Sequence, residues 1–374
     1  MDSQKYQRII KGCRFCLMCR HVCTVGNATY VETNTPRGKA LMLDCLGSDA
    51  LEDNPKNLAR AIEVLYDCCY CGQCRNNCVS SYDHPDMVMV TRDKFNGNKS
   101  LLPEPVRNYQ NLIEKNLEPY ETPTNINIEG VKQDQPNSDV LVYLGPIVRN
   151  EMPEVFHGTL KILERVGVKY TIMSDERDAG YFAYLFGMLG KARELLSSSI
   201  ERINALEPAR ILTLAPADYR LLMGGIEDLP VDGLKPQVVH ITTFLAELLT
   251  LGTLKLTKEF SKKVTYHDSC QLGRFMEDFS SPREVLGRVP GIVLEELYWN
   301  KDESGCCGAG GGLEFTNPKL SKRIAQKRHD QIKDKEIELI ITDCPNCKKQ
   351  LNTTAQDQDT ANTITLAELV SQCL

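Results

Sequence analysis

The chain has 374 residues, of which 42% are hydrophobic and 25% are charged, and its formal net charge is -6. This length allows two or three domains with buried cores, and the acidic balance gives no reason to expect nucleic-acid binding. No stretch approaches the roughly 20 apolar residues of a membrane-spanning helix, and the N-terminus lacks the apolar core of a secretory signal. We therefore expect a cytoplasmic protein without a transmembrane segment, which could associate with the inner face of a membrane through a partner.

The most informative feature of the composition is the presence of 16 cysteines. In a protein that is not secreted, closely spaced cysteines favour metal ligation over disulfides. Two runs near the start share the pattern CxxCxxCxxxC: Cys13, Cys16, Cys19 and Cys23, then Cys68, Cys71, Cys74 and Cys78. Bacterial ferredoxins hold cubane [4Fe-4S] clusters with this pattern, so the sequence predicts two such clusters.

In two-cluster ferredoxins the fourth cysteine of one run ligates the other cluster. The predicted ligand sets are Cys13, Cys16, Cys19 and Cys78 for cluster 1, and Cys68, Cys71, Cys74 and Cys23 for cluster 2. Zinc and disulfides are the alternatives, although a tetrahedral zinc site more often joins two separated CxxC pairs. Cys69 is out of register with its run and is interpreted as a packed or substitute thiol. Nearby basic residues either tune the clusters or lie on the solvated surface: Arg14, Arg20, His21, Arg75 and His84.

The segment between the two runs predicts helices. Thr35-Pro36-Arg37 begins one that runs toward Leu46, and a second spans Pro55 to Tyr66. In the second helix the apolar positions recur at helical spacing, so one stripe can pack beneath the clusters. Residues 1–116 resemble the helical ferredoxin domain of succinate dehydrogenase and heterodisulfide reductase subunits. The family's proline after each fourth cysteine is replaced here by Thr24 and Val79.

Residues 117–139 are rich in proline and asparagine and predict a linker. Beyond it, short apolar runs alternate with amphipathic helical patterns, which predicts parallel sheets covered by helices. The predicted strands form two sets in the same order: Val140 to Leu144, Tyr170 to Met173 and Ile211 to Leu214, then Val264 to His267, Ile292 to Leu294 and Glu338 to Thr342. Each set is followed by a similar segment, FLAELL at 244–249 after the first and TLAELV at 365–370 after the second. We therefore predict one α/β unit, duplicated over residues 140–255 and 256–374.

Only the later copy carries grouped cysteines: Cys270, then Cys306-Cys307-Gly308, then Cys344 and Cys347. Together with the HDSCQLGR stretch around Cys270, this pattern resembles the cysteine-rich CCG domain of heterodisulfide reductase and of the glycerol-3-phosphate and glycolate dehydrogenase iron-sulfur subunits. The resemblance, to the heterodisulfide reductase D and glycolate oxidase iron-sulfur family, covers nearly the whole chain. It implies that Cys270, Cys306, Cys307, Cys344 and Cys347 hold a third [4Fe-4S] cluster of non-cubane type. Zinc and an ordinary cubane cluster are the alternatives.

The predicted fold class is therefore α plus α/β, with an N-terminal helical two-cluster ferredoxin domain followed by two repeated α/β units of CCG type with parallel sheets. Gly305 to Gly312 follows a charged turn and not a strand, so we interpret its glycines as allowing close backbone approach rather than as a dinucleotide site. His267 and Asp268 either relay a proton or form a hydrogen-bonded structural pair. Cys45 and Cys373 are predicted to be buried.

The earlier copy lacks cysteines where the family has them. Gly145-Pro146, Asp178-Ala179-Gly180, and Ala215 with Asp218 occupy those positions. Soft-metal binding is therefore not expected in this copy, which we interpret as a scaffold or docking surface.

No flavin or nicotinamide motif is present, so substrate oxidation is assigned to another chain. The resemblance implies an electron-transfer subunit of an oxidoreductase complex in an anaerobic setting. It would relay electrons between a flavin-containing dehydrogenase subunit or an electron transfer flavoprotein and an acceptor such as a quinone, a disulfide or an electron carrier. An alternative is a catalytic subunit that reduces a disulfide at the C-terminal cluster. A third possibility, a scaffold or metal sensor without redox chemistry, requires zinc in the N-terminal runs.

Overall fold

A computed structural model describes residues 11–47, 54–124, 130–355 and 360–374. Most of the N-terminal segment and part of the predicted linker lie outside the described residues. Among the described residues, no helix combines the length and the apolar character needed to cross a membrane.

The described residues before the first sheet form helices joined by loops. These helices are Thr24–Thr29, Pro36–Gly47, Pro55–Tyr66, Gln73–Asn76, His84–Phe95 and Glu104–Asn116. Both helices predicted between the cysteine runs are confirmed. The second begins where the Asn54 side chain accepts hydrogen bonds from the backbone N–H groups of Lys56 and Asn57, which otherwise lack partners in a first helical turn. Its apolar stripe is buried at Ala61, Ile62 and Leu65.

Two four-stranded parallel sheets follow. Their strands are β1 (Val140–Tyr143), β2 (Tyr170–Thr171), β3 (Arg210–Thr213), β4 (Gln237–His240), β5 (Lys263–His267), β6 (Val293–Leu294), β7 (Leu339–Thr342) and β8 (Asn362–Thr365). The strand orders are β2-β1-β3-β4 and β6-β5-β7-β8. All four residues of β1 are buried, as expected for a parallel strand covered on both faces. The predicted parallel sheets are confirmed, and their identical strand order agrees with the predicted duplication.

Helices cover both sheets and form a shared core. In the first copy they are Gly145–Glu151, Pro153–Val166, Tyr181–Leu185, Leu189–Ala205, Pro216–Leu222 and Ile241–Thr250. In the second copy they are Gly273–Met276, Ser281–Leu286, Leu313–Thr316, Pro318–His329, Pro345–Asn352 and Leu366–Gln372. Phe244 and Leu248 of one copy and Leu366 and Val370 of the other belong to one buried cluster. The two repeats therefore pack against each other as well as against their own sheets.

Arg92 joins three parts of the chain and is completely buried. Its guanidinium donates hydrogen bonds to the carbonyl oxygens of Leu65, at 2.8 Å, Leu185, at 2.6 Å, and Gly311, at 2.8 Å. It also lies 4.4 Å from the centroid of the Tyr66 ring. Because these carbonyls come from the helical N-terminal region and from both repeats, one side chain satisfies polar groups of all three.

Two sequence predictions concern single residues. Cys373 is buried, as predicted, with 1% of its surface exposed. Cys45 is exposed, so the prediction that it is buried is wrong. It follows Leu43, which is buried, by two positions and therefore lies on another side of the helix Pro36–Gly47. His84 is also buried and not part of the solvated surface.

Candidate metal centres

The first group of thiols combines three cysteines of the first run with one of the second. The charge of the Cys13 thiolate interacts with those of Cys16 and Cys78, and Cys19 interacts with Cys13 and Cys16. The backbone N–H groups of Phe15 and Tyr82 donate hydrogen bonds to the sulfur atoms of Cys13, at 3.3 Å, and Cys78, at 3.2 Å. The structure thus brings together the four residues predicted for cluster 1.

The second group lies deeper. Cys23 interacts with Cys68 and Cys71, and Cys74 interacts with Cys71, Cys23 and Cys68. Burial raises the pKa of Cys23 to about 11, although the nearby Lys39 ammonium and the N–H of Gly26 lower it. These four thiols border one cavity, which contains the four residues predicted for cluster 2.

A third group gathers at the carboxyl ends of the strands of the second sheet. Cys270 follows β5, Cys344 follows β7, and Cys347 lies one turn into the helix Pro345–Asn352. The thiol of Cys306 interacts with Cys270 and Cys307, and that of Cys347 interacts with Cys307 and Cys344. The five cysteines of the resemblance therefore form one connected group, at the edge where parallel α/β sheets place ligands.

The backbone after the Cys306-Cys307 pair requires glycine at position 308. Its φ is +99°, and a Cβ atom there would lie 2.6 Å from the carbonyl oxygen of Ser321. Cβ atoms at Gly310 and Gly311 would lie 2.1 Å and 1.9 Å from the carbonyl oxygens of Cys69 and Cys68. The glycines therefore permit close approach to the start of the second cysteine run, where Cys68 belongs to the second group.

His267 joins the third group, which the sequence pattern did not predict. One of its ring nitrogens and the sulfur atoms of Cys307 and Cys347 all lie within 4.8 Å of one another. Its Nδ1 accepts a hydrogen bond from Arg328 Nε at 3.2 Å, and burial together with this charge holds its pKa well below the ordinary value. The imidazole is thus neutral, and because its Nδ1 accepts this hydrogen bond, its Nε2 carries the proton. The Asp268 carboxylate instead accepts hydrogen bonds from Arg283, at 2.8 Å and 3.0 Å, and so pairs with a residue other than His267.

The chemistry of this donor set fits a soft, electron-rich metal centre. Interaction first with Cys306 and then with Cys347 holds the pKa of Cys307 below its ordinary value, in the direction of the thiolate, which is the form that binds metal. Cys306, Cys307, Cys344 and Cys347 are all buried, which excludes water from the group. Four thiolates of this group would also suit zinc, the alternative that the sequence analysis named.

The second and third groups touch each other. Cys306 and Cys69 belong to one buried cluster, against which Cys71 packs, and Cys71 also interacts with Cys270. Cys71 belongs to the predicted set of cluster 2, whereas Cys306 belongs to that of the C-terminal cluster. Cys69, next to Cys68, indicated an additional thiol in the sequence, but the spacing of the cysteines did not show that Cys69 lies near Cys306. The two groups are therefore in direct contact.

The corresponding place in the first copy holds carboxylates. Glu176 accepts hydrogen bonds from the backbone N–H groups of Leu144, at 3.0 Å, and Gly145, at 2.8 Å. Asp178 accepts them from Tyr181 and Phe182, and the Asp218 carboxylate would lie 2.1 Å from a Cβ at Gly145. The three positions at which the first copy departs from the cysteine pattern thus meet in space.

Burial raises the pKa of Glu176 and of Asp178 to about 7, and that of Asp218 well above its ordinary value. A carboxyl group whose pKa is raised by folding stabilises the folded protein fully at pH values below its unfolded pKa. That stabilisation is lost as the pH rises through the folded pKa, which is about 7 for Glu176 and Asp178. We therefore expect the free energy of unfolding to fall between pH 5 and pH 8, by roughly 1.4 kcal/mol for each pH unit and each titrating group. Chemical denaturation at a series of pH values measures this slope.

Asp218→Asn should flatten the slope relative to the parent protein, whereas the exposed Glu63→Gln should not change it. The comparison with the parent matters because burial also raises the pKa of Glu314 to about 7 and of Asp343 to about 6. An unaltered slope in Asp218→Asn would show that the carboxylate is already ionised in the folded protein.

Comparison with known proteins finds iron-sulfur oxidoreductases among the relatives of this chain. Residues 264–352 match the family model described as CCG, cysteine-rich domain. The iron-sulfur-binding oxidoreductase FadF of Bacillus subtilis is 26% identical over 86% of this chain and 48% of its own length. The heterodisulfide reductase D protein of Methanosarcina barkeri is 26% identical over 80% of this chain and 75% of its own length. EtfAB:quinone oxidoreductase of Syntrophomonas wolfei is 27% identical over 84% of this chain and 45% of its own length.

The chain therefore spans about half the length of FadF and of the quinone oxidoreductase. Among solved structures, a hypothetical protein from Helicobacter pylori has a TM-score of 0.59 at 9% identity, covering 99% of this chain and 72% of that one. This likeness concerns the fold alone. Residues 264–352 thus match the CCG cysteine-rich domain, and the chain as a whole is similar to heterodisulfide reductase D and FadF, as the sequence resemblance implied.

Proposed function

We propose that this chain is the electron-transfer subunit of an oxidoreductase complex, holding two cubane [4Fe-4S] clusters and a C-terminal [4Fe-4S] cluster of non-cubane type. The proposal rests on one observation: the three groups of thiols form a continuous series through the protein. Cys19 of the first group interacts with Cys23 of the second, and Cys71 of the second packs against the buried cluster that contains Cys306 of the third. Iron-sulfur clusters supply one-electron redox chemistry when bound at such sites.

The surroundings of the three groups differ in exposure, which suggests where a partner docks. Cys13 and Cys16 are partly exposed, and Leu17 and Met18 beside them have 61% and 43% of their surface exposed. The third group is buried except for Cys270, which is partly exposed. A redox partner can thus approach the first group most closely, while the protein shields the third from solvent.

The partner we propose is a flavoprotein, either a flavin-containing dehydrogenase subunit or an electron transfer flavoprotein. Support comes from the name of the quinone oxidoreductase relative, which includes EtfAB, and from the absence of a flavin motif in this chain. The test is to mix anaerobically reconstituted protein with reduced electron transfer flavoprotein in a stopped-flow instrument. Each cluster that takes up one electron should bleach as the flavin loses one, in equal amounts. Flavin that stays reduced beside clusters that dithionite can reduce would contradict this choice of partner.

A second candidate function is the reduction of a disulfide at the C-terminal cluster. It is favoured by a cleft of about 360 Å³ that reaches Cys306 between the N-terminal helical region and the second repeat. His21, Trp299 and Lys327 are among the residues that line it, so a polar molecule could approach the buried sulfur.

Under this second function, a disulfide or thiol should change the EPR signal of the oxidised C-terminal cluster in the isolated subunit. The comparison is a panel of disulfides against alcohols of the same size and charge. A signal that no member of the panel alters would leave electron transfer as the only supported function of the subunit.

A further inference from the structure

Arg274 lies at the junction of the second and third groups of thiols. It belongs to the short helix Gly273–Met276, four residues after Cys270, and only 4% of its surface is exposed. Its Nε donates to the carbonyl oxygen of Cys71 at 2.7 Å, and its Nη1 donates to that of Ser304 at 2.7 Å. One guanidinium thus holds the loop of the second cysteine run against the loop that leads to Cys306.

The remaining nitrogen of this guanidinium has no protein partner. Among the described residues, Arg274 Nη2 is buried without a hydrogen-bond acceptor, and no carboxylate forms an ion pair with Arg274. Its positive charge interacts instead with sulfur atoms of both groups: Cys71, Cys270, Cys306 and Cys74. A buried cation without a carboxylate is costly unless other negative charge compensates it, and cysteine sulfur becomes anionic when it binds metal.

We propose that Arg274 is a positioning residue that sets the reduction potentials of the second and C-terminal clusters together. The inference rests on the proposed function, because it requires both sites to carry iron-sulfur clusters. Net charge and hydrogen bonds to sulfur are among the factors that fix cluster potentials. Reduction adds one negative charge, so a nearby buried cation and a free N–H donor both favour the reduced state. Arg274 meets thiols of both groups and therefore raises both potentials.

Arg328 provides a matched comparison. It is also buried, with 2% of its surface exposed. The thiols that interact most strongly with its charge are Cys347 and Cys307, and both belong to the third group. Its nitrogens donate to His267 Nδ1, the Trp299 carbonyl oxygen and Ser304 Oγ. Removing its charge should therefore change the C-terminal cluster without changing the second cluster.

The experiment is a redox titration of the anaerobically reconstituted full chain, followed by EPR, for Arg274→Gln, Arg274→Lys and Arg328→Gln. In Arg274→Gln, we expect the ratio of reduced to oxidised centres at fixed potential to fall about tenfold at both sites, which is about 59 mV for one electron. The cluster at Cys13, Cys16, Cys19 and Cys78 should keep its potential and serves as the internal reference. Arg328→Gln should shift the C-terminal cluster alone. Unchanged potentials at both sites in a fully loaded Arg274→Gln protein would overturn the proposal.

If Arg274→Gln fails to retain iron, Arg274→Lys decides, because lysine keeps the charge but cannot make all the guanidinium hydrogen bonds. Restoration of iron, with potentials of both clusters close to those of the parent, supports the assignment to charge. Failure of the lysine variant to restore iron would show that Arg274 acts only by bracing the two loops, which also overturns the proposal. A parent protein that binds no iron would instead contradict the proposed function itself.

Discussion

Arg92→Met should destabilise the protein by about 3 to 5 kcal/mol, which is among the largest effects expected from a single substitution. Methionine fills much of the same volume but donates no hydrogen bond, so the carbonyl oxygens of Leu65, Leu185 and Gly311 lose their shared partner inside the core. Urea denaturation of the cluster-loaded protein under anaerobic conditions measures the loss. Because the three carbonyls belong to three parts of the chain, we also expect the unfolding transition to broaden.

The matched control is Arg60→Met. Arg60 is exposed and pairs with Glu63, one turn along the same helix, at 2.6 Å. Exposed ion pairs of this kind contribute about 0 to 1 kcal/mol, so this variant should unfold almost as the parent does. Equal stability of Arg92→Met and Arg60→Met would mean that the N-terminal region and the two repeats are not held together by Arg92.

Cys74→Ser should remove one cubane cluster and interrupt electron transfer while leaving the C-terminal centre in place. Cys74 interacts with Cys71, Cys23, Cys68 and Cys19, and none of these principal partners belongs to the third group. Cys307→Ser should remove the C-terminal centre and leave the cubane clusters in place, because the Cys307 thiol interacts with Cys306 and Cys347 of the third group. EPR spectra together with iron analysis should show a loss of about four iron atoms in each variant.

Cys45→Ser is the control for these two variants, since it removes an exposed thiol outside the three groups and should leave the iron content unchanged. Cys71→Ser is a less selective change, because Cys71 also touches Cys306 and can disturb both centres. Loss of both signals from Cys74→Ser alone would argue that the two sites do not assemble independently.

The architecture could be predicted wherever the local pattern was strong. Proline at the start of Pro36–Gly47 and the apolar spacing of Pro55–Tyr66 determined both helices in the N-terminal region. Six short strands were predicted, but β4 and β8 were missed. β8 reads NTIT and has a single aliphatic side chain, and β4 reads QVVH; both are recognisable only from the repeat of the strand order.

The candidate sites divide in the same way. Spacing identified the eight cysteines of the two runs, the similarity to two-cluster ferredoxins implied how they divide between the two groups, and the CCG resemblance supplied the five cysteines of the third. The contact between Cys71 and Cys306 could not be predicted, because it depends on how the N-terminal region packs against the second repeat. The same reason applies to Glu118, which lies in the predicted linker but is completely buried and pairs with Arg149.

Quantitative analysis of iron and acid-labile sulfide in the anaerobically purified protein tests most directly whether these thiols hold iron-sulfur clusters. We expect about 12 iron and 12 sulfide per chain, a brown colour and visible absorption that dithionite bleaches. A colourless protein that contains zinc and no sulfide would contradict electron transfer by this chain, whatever its relatives do.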